Sequence, residues 1–242
     1  MTLYEDIQAL YNRDSHLWDR NKPKSRSDFL IRPAMVDMML HLNSKNILDL
    51  GCGEGYVTRL IANALPKSEI HGIDISDKML SIAKRKEEKN QQGIIYHHGN
   101  MIDLSRFEDA TFDTLSAALS THYIPLKHEV NFYKEASRVL KQGGYFIIGA
   151  ISLEALWNIN TGSMKGYKEN EGKLFKNKIE RISGKKQEVW HIHKTTETLE
   201  KHMQEAGFTI IEKAKLGEPI NPYNETSPIK GAPYVLYVLQ KT

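Results

Sequence analysis

The chain has 242 residues, 40% of them hydrophobic and 26% charged, with a net charge of +3, which suits one globular domain with room for an insertion. So small a net charge does not call for a nucleic acid or an anionic membrane as partner. The single cysteine, Cys52, excludes an internal disulfide and a cysteine-rich zinc site.

Glu5 and Asp6 stand where a secretory signal would be positive. The most apolar run, near 143–153, is too short to span a bilayer. The expectation is a cytoplasmic protein with no membrane partner and no resident metal. Leu3, Ile7, Leu10 and Tyr11 share one face of a short helix. A polar stretch from Asn12 to Asp28 follows, holding His16, Trp18, Arg20 and Arg26. A second helix is predicted over about 27–42. Pro33 sits early in it, where a missing N–H costs least, and Met35, Met38, Met39 and Leu42 supply an apolar face.

The centre of the sequence is Ile47–Gly55, ILDLGCGEG. Apolar residues around Asp49 predict a buried strand, three alternating glycines predict a sharp turn, and Val57, Leu60, Ile61 and Ala64 predict a helix opening at Tyr56. Strand, glycine turn and helix form the layout of a nucleotide-type cofactor site in an α/β sheet. Glycines let the backbone turn and a ligand approach, and the helix start aims free N–H groups at that ligand. A dinucleotide fingerprint would need glycine at position 56, which is Tyr56. The next strand, 69–73, finishes at Asp74, an acid about 20 residues past the turn and suited to ribose hydroxyls. The alternative for Asp74 is an acid at a helix N-terminus, a role that Ser76 and Asp77 can take instead.

Gly51-Cys52-Gly53-Glu54-Gly55, preceded by Asp49 and followed by Asp74, resembles motifs I and II of the class I S-adenosylmethionine-dependent methyltransferases. The resemblance implies an α/β fold: a Rossmann-like, seven-stranded, mostly parallel sheet with an antiparallel last strand, helices on both faces and a lid, in a single domain over 1–242. It implies S-adenosyl-L-methionine as cofactor, contacted by Asp49, Gly51, Cys52, Gly53, Asp74, Ile75, Asn100, Met101, Ala117 and Leu119. It also makes residues 1–43 a cap of helices over the cofactor mouth.

The third strand is predicted over 94–98. Asn100 follows it, where the family commonly has Asp; an amide oxygen can still accept from an adenine amino group. The fourth strand, Phe112–Leu119, leads to Ser120-Thr121-His122-Tyr123-Ile124-Pro125. This segment lacks the Pro-Pro-aromatic arrangement of enzymes that methylate nucleic-acid amino groups, so nucleic acid is not the expected substrate. A helix over 127–141 is predicted to stop at Gly143-Gly144, with a fifth strand over 145–151. Arg138–Gly144 resembles the family's helix-stop-strand signature.

Residues 154–194 break the alternation with aromatic and basic side chains. That composition fits an RNA groove or a solvated insertion. A substrate lid is the preferred reading, with a strand at Val189–His193. Thr195–Ala206 reads as a helix stopped by Gly207, followed by strands over 208–214 and 234–240 around a loop holding Pro219, Asn221, Pro222 and Pro228. His193-Lys194-Thr195 ahead of Ala206-Gly207-Phe208 resembles the family's small-molecule branch. Tyr11, Trp18, Arg26, Tyr123 and Trp157 are candidates for contact with the acceptor.

Methyl transfer is an in-line displacement from a cofactor that brings its own activated leaving group. The protein has to align the acceptor and exclude water, and needs a base only for an acceptor that holds a proton. His122 and His193 are the candidate proton acceptors. The alternatives are a same-fold cyclase or lyase that uses the cofactor differently, and an RNA-binding or RNA-modifying protein. The sequence sets neither the acceptor nor the oligomeric state.

Overall fold

Five parallel strands form the first part of the sheet: β1 (Asn46–Leu50), β2 (Glu69–Asp74), β3 (Ile95–His98), β4 (Phe112–Ala118) and β5 (Leu140–Ile151). β6 (Leu174–Glu180) and β7 (Lys186–Ile192) make a separate antiparallel pair. β8 (Phe208–Leu216) and β9 (Tyr234–Lys241) complete the main sheet, in the order β3-β2-β1-β4-β5-β9-β8, with β9 antiparallel to both of its neighbours. The computed structural model describes residues 2–155, 157, 164–180, 186–216 and 234–242. The predicted loop with Pro219, Asn221, Pro222 and Pro228 lies outside the described residues.

Both faces of the sheet are covered, so β1 and β4 are buried along almost their whole length. On one face, α2 (Ile31–Leu40), α3 (Tyr56–Ala64) and α4 (Asp77–Lys89) bury Met35, Met39, Val57, Ile61 and Leu80. On the other, α5 (Leu126–Val139) and α6 (Thr196–Glu205) bury Phe132, Tyr133, Leu199 and Met203. The strand order reverses between β1 and β4, which opens a crevice at their carboxyl ends, the usual ligand position in open α/β sheets.

The N-terminal helix α1 (Leu3–Trp18) is longer than its apolar face predicted and takes in Asn12 and His16. A capping box starts it: Glu5 N–H donates to Thr2 Oγ1 and Thr2 N–H to Glu5 Oε2. Its polar residues are held by packing against α4. The helix predicted over 27–42 is a 3₁₀ turn, Arg26–Asp28, followed by α2.

α5 ends at Val139, two residues before its predicted stop, and Gly143-Gly144 lie inside β5. Leu140 pairs with Phe112 and Tyr145 with Thr114, so the glycines form a bulge between the two pairings. A Cβ on Gly144 would stand 2.8 Å from Lys141 O and 2.9 Å from Asp113 O. Gly144 therefore admits a close backbone approach inside the sheet, while Gly143 supplies a left-handed φ of 74°.

Candidate cofactor and acceptor site

The turn after β1 is left-handed at all three glycines, with φ of 69°, 56° and 78° at Gly51, Gly53 and Gly55. A Cβ at Gly51 would lie 2.6 Å from Ser120 Cβ, so this glycine lets the turn after β4 close against the turn after β1. At Gly53 a Cβ would meet only Met79 Cε, at 3.1 Å. Gly51 and Cys52 N–H both donate to Ile73 O, at 2.8 and 3.0 Å, which ties the turn to the end of β2. Cys52 is buried, and burial pushes its thiol up.

Asp74 closes β2 and accepts from Gly53 N–H and Ser76 N–H, both at 2.8 Å, one on each carboxylate oxygen. Ser76 caps α4 by accepting from Met79 N–H. Asp74 is thus spared the capping role but is bonded to the glycine turn. Each oxygen keeps a further lone pair, and burial raises the carboxyl pKa.

Asp49, also expected in the contact set, is tied into the fold on both oxygens. It is 2% exposed, and its oxygens accept from Thr58 Oγ1 at 2.7 Å and Ser116 Oγ at 2.8 Å. Burial pushes its carboxyl up to about 6 against those two hydrogen bonds. Asp49 braces β1 to α3 and β4, so its part at the site is to hold the strand that carries the glycine turn.

α1 lies over the carboxyl edge of the sheet. Gln8 Nε2 donates to Ile75 O at 2.9 Å, Asn12 Oδ1 accepts from Ser76 Oγ at 2.7 Å, and the Tyr11 and Tyr123 hydroxyls share a hydrogen bond. The Tyr11 ring also stands 5.7 Å from Trp18, centre to centre. Asn100 Oδ1 accepts from Ile102 N–H at 3.2 Å, a local turn that leaves its NH₂ uncommitted to that bond. Arg26 belongs to the 3₁₀ turn; its side chain lies outside the described residues.

Ala117 is fully buried in β4, and Leu119 just beyond it is left-handed at φ 58°, a conformation costing a non-glycine residue about 1–2 kcal/mol. Its N–H is held by Gly149 O at 2.7 Å. A 3₁₀ turn, Thr121–Tyr123, follows. His122 lines a cavity there with Thr121, Ser152, Leu153, Glu154 and Lys194. Its Nδ1 is buried without a hydrogen-bond partner. Burial first, then His191 and Lys194, push its pKa down to about 3, so the ring is neutral.

His193, the other candidate proton acceptor, is not among the residues that line this cavity. It is 1% exposed, its Nε2 is bonded to Tyr167 O at 2.6 Å, and its ring packs against Trp157, Tyr167 and Phe175. Trp157, Tyr167 and Phe175 pack together with His193 inside the 154–194 segment. Trp157 is likewise buried among these rings.

Two arrangements escaped the sequence reading. Glu54, inside the glycine motif, is 3% exposed and pairs with Arg59 (3.0 Å), Lys86 (2.7 Å) and Arg20 (3.5 Å), joining the 19–32 segment to α3 and α4. Glu129 is fully buried, pairs with Lys194 and accepts from His202 Nδ1 at 2.8 Å. Glu129 had a signal: it lies three, four and seven residues before Phe132, Tyr133 and Ala136, on the apolar stripe of α5. Among the described residues no cluster of His, Cys, Asp and Glu could hold a metal ion, and no helix is long and apolar enough to cross a membrane.

A family model described as a methyltransferase domain matches residues 47–144. A demethylmenaquinone methyltransferase of Lactococcus lactis is 29% identical over 227 residues, 88% of this chain and 86% of the relative. That of Thermotoga maritima is 34% identical over 117 residues, 48% of each; against relatives of this second kind the matched part spans about half of their length. The solved 1,6-didemethyltoxoflavin-N1-methyltransferase of Burkholderia thailandensis shares the fold at a TM-score of 0.63 and 15% identity, over 99% of this chain and 87% of its own. Sheet order, glycine turn and family match together place the chain among the class I S-adenosylmethionine-dependent methyltransferases.

Proposed function

We propose that the protein transfers a methyl group from S-adenosyl-L-methionine to a small-molecule acceptor bound beside the turn after β4. The observation that carries this reading is the left-handed glycine turn whose Gly53 N–H is held by Asp74 at 2.8 Å. That turn offers backbone without Cβ atoms, and Asp74 offers spare lone pairs beside it, a fit to an amino-acid and ribose ligand. Gly51, Cys52 and Gly53 would face the methionine part, Asp74 and Ile75 the ribose, and Asn100 and Met101 the adenine edge. Ala117 and Leu119 would floor the site from β4.

When bound, the cofactor supplies a methyl group on an already activated sulfonium. The chain's own task is orientation and exclusion of water. In this reading residues 1–43 and 154–194 cover the site within a single domain, and Tyr11, Trp18, Tyr123 and the cavity beside His122 meet the acceptor. A neutral His122 accepts a hydrogen bond from an acceptor hydroxyl or amine. With so low a pKa it orients that group as a hydrogen-bond acceptor and does not hold its proton at neutral pH. The matched relatives' small-molecule substrates, a menaquinone precursor and a toxoflavin precursor by their names, support an acceptor of that size. The cytoplasmic location belongs to the same proposal.

The test is incubation with methyl-labelled cofactor and a metabolite extract. The expected result is a labelled small molecule plus S-adenosylhomocysteine. Methylthioadenosine as the product would favour the cyclase reading, and label on RNA would overturn the small-molecule one.

A further inference from the structure

Lys194 is 2% exposed and Glu129 is fully buried. The Lys194 ammonium pairs with Glu129 and also donates to Thr121 O at 3.1 Å. The second Glu129 oxygen accepts from His202 Nδ1, a bond that raises the His202 pKa. One buried carboxylate therefore gathers α5, α6, the end of the 154–194 segment and, through Lys194, the turn after β4. Burying an ion pair gives little net stability compared with apolar residues of similar size, so stability alone does not account for the arrangement.

The main chain around Lys194 is secured without its side chain. His193 N–H donates to Lys173 O and Gly172 N–H to His193 O, both at 2.8 Å, and Thr195 N–H donates to Glu171 Oε1 at 2.8 Å. What the ammonium adds is a grip on the Thr121 carbonyl, which also accepts from Ile124 N–H at 3.2 Å and so closes the turn bearing His122 and Tyr123. Lys194, Thr121 and His122 line the same cavity.

We propose that Lys194 is a positioning residue. Held by Glu129, it fixes the Thr121 carbonyl and so sets where His122 and Tyr123 stand toward the acceptor. This rests on the reading of the cavity as the acceptor site.

The test uses the full chain with ¹⁵N-labelled histidine, in wild type, Lys194→Met, Lys194→Arg and Glu129→Gln. His122 is assigned by comparison with His122→Gln. Beside burial, His191 and Lys194 are the titratable and charged groups that hold the His122 ring neutral. In Lys194→Met the His122 ring signals should move, its titration midpoint should rise, and exchange of the Ile124 amide should speed up at least about tenfold. The amides of β1 should keep their wild-type rates. Glu129→Gln should move His122 the same way, and Lys194→Arg should bring the signals back toward wild type. S-adenosylhomocysteine affinity, read by calorimetry, should stay within about twofold of wild type in every variant.

Wild-type His122 signals and Ile124 exchange in Lys194→Met would overturn the proposal. So would loss of fold in both Lys194→Met and Glu129→Gln, which would mark the pair as a core element. Failure of the wild-type protein to bind S-adenosylhomocysteine would instead count against the methyltransferase reading, while the His122 and Ile124 signals would still decide the role of Lys194.

Discussion

At the cofactor end, Asp74 takes its two backbone bonds from residues 21 and 2 positions away. At the end proposed for the acceptor, Glu129 takes two side-chain bonds from residues 65 and 73 positions away. The glycine turn and Asp74 come from one strand-turn-helix-strand stretch, and their chemistry is compact in sequence. The second end is assembled by folding, from the turn after β4, α5, α6 and the return of an insertion. A cofactor site shared by a family can be local because the ligand is constant. An acceptor site built from distant segments can change one segment at a time and leave the cofactor end alone.

The largest effect that sharpens this contrast should come from Glu54. Glu54→Gln removes the carboxylate facing Arg20, Arg59 and Lys86 and should destabilise the fold by about 3–5 kcal/mol in urea unfolding, the usual result of leaving buried charges uncompensated. A loss under about 1 kcal/mol would mean that the cofactor end does not depend on its charge network.

Asp49 should give the next effect, with an unusual sign. Burial pushes its carboxyl up to about 6 in the fold, above the ordinary carboxylate range of about 4. The group therefore contributes stability below about pH 4 that is lost as pH rises through about 6. The stability difference between wild type and Asp49→Asn should shift in favour of wild type by up to about 3 kcal/mol between pH 7 and pH 4. A difference that is flat with pH would show that the Thr58 and Ser116 bonds cancel the burial.

Tyr11→Phe should have the smallest effect. It deletes the hydroxyl shared with Tyr123, a bond that links α1 to the turn after β4, at a cost of about 0.5–1.5 kcal/mol in unfolding. Gln8 and Asn12 still hold α1 to the cofactor end, so protease resistance of α1 should persist. Cleavage inside α1 in the variant would mean that the two ends are coupled through this bond.

The same contrast explains what the sequence made legible. The strands that build the cofactor end could be read from apolar runs ending in Gly51 and Asp74, and the antiparallel close of the sheet from the layout after Gly207. Ser76 could be read as a cap because capping is local. The bracing of Asp49 was not legible because its partners, Thr58 and Ser116, come from a helix turn and from a strand 67 residues away. The burial of His193 was not legible because it depends on Tyr167 and Phe175 packing against the ring. The true length of α1 was hidden because packing on α4, rather than its own apolar periodicity, keeps its second half helical.

The central claim is that the Gly51–Gly55 turn and Asp74 bind the cofactor, and calorimetric titration of S-adenosylhomocysteine into wild type and Asp74→Ala tests it most directly. The account predicts binding to wild type, much weaker binding of NAD, and a loss of about 1.5–3 kcal/mol in Asp74→Ala, about 10- to 150-fold in affinity. No binding to the wild-type protein, or equal affinity in the two, would contradict it.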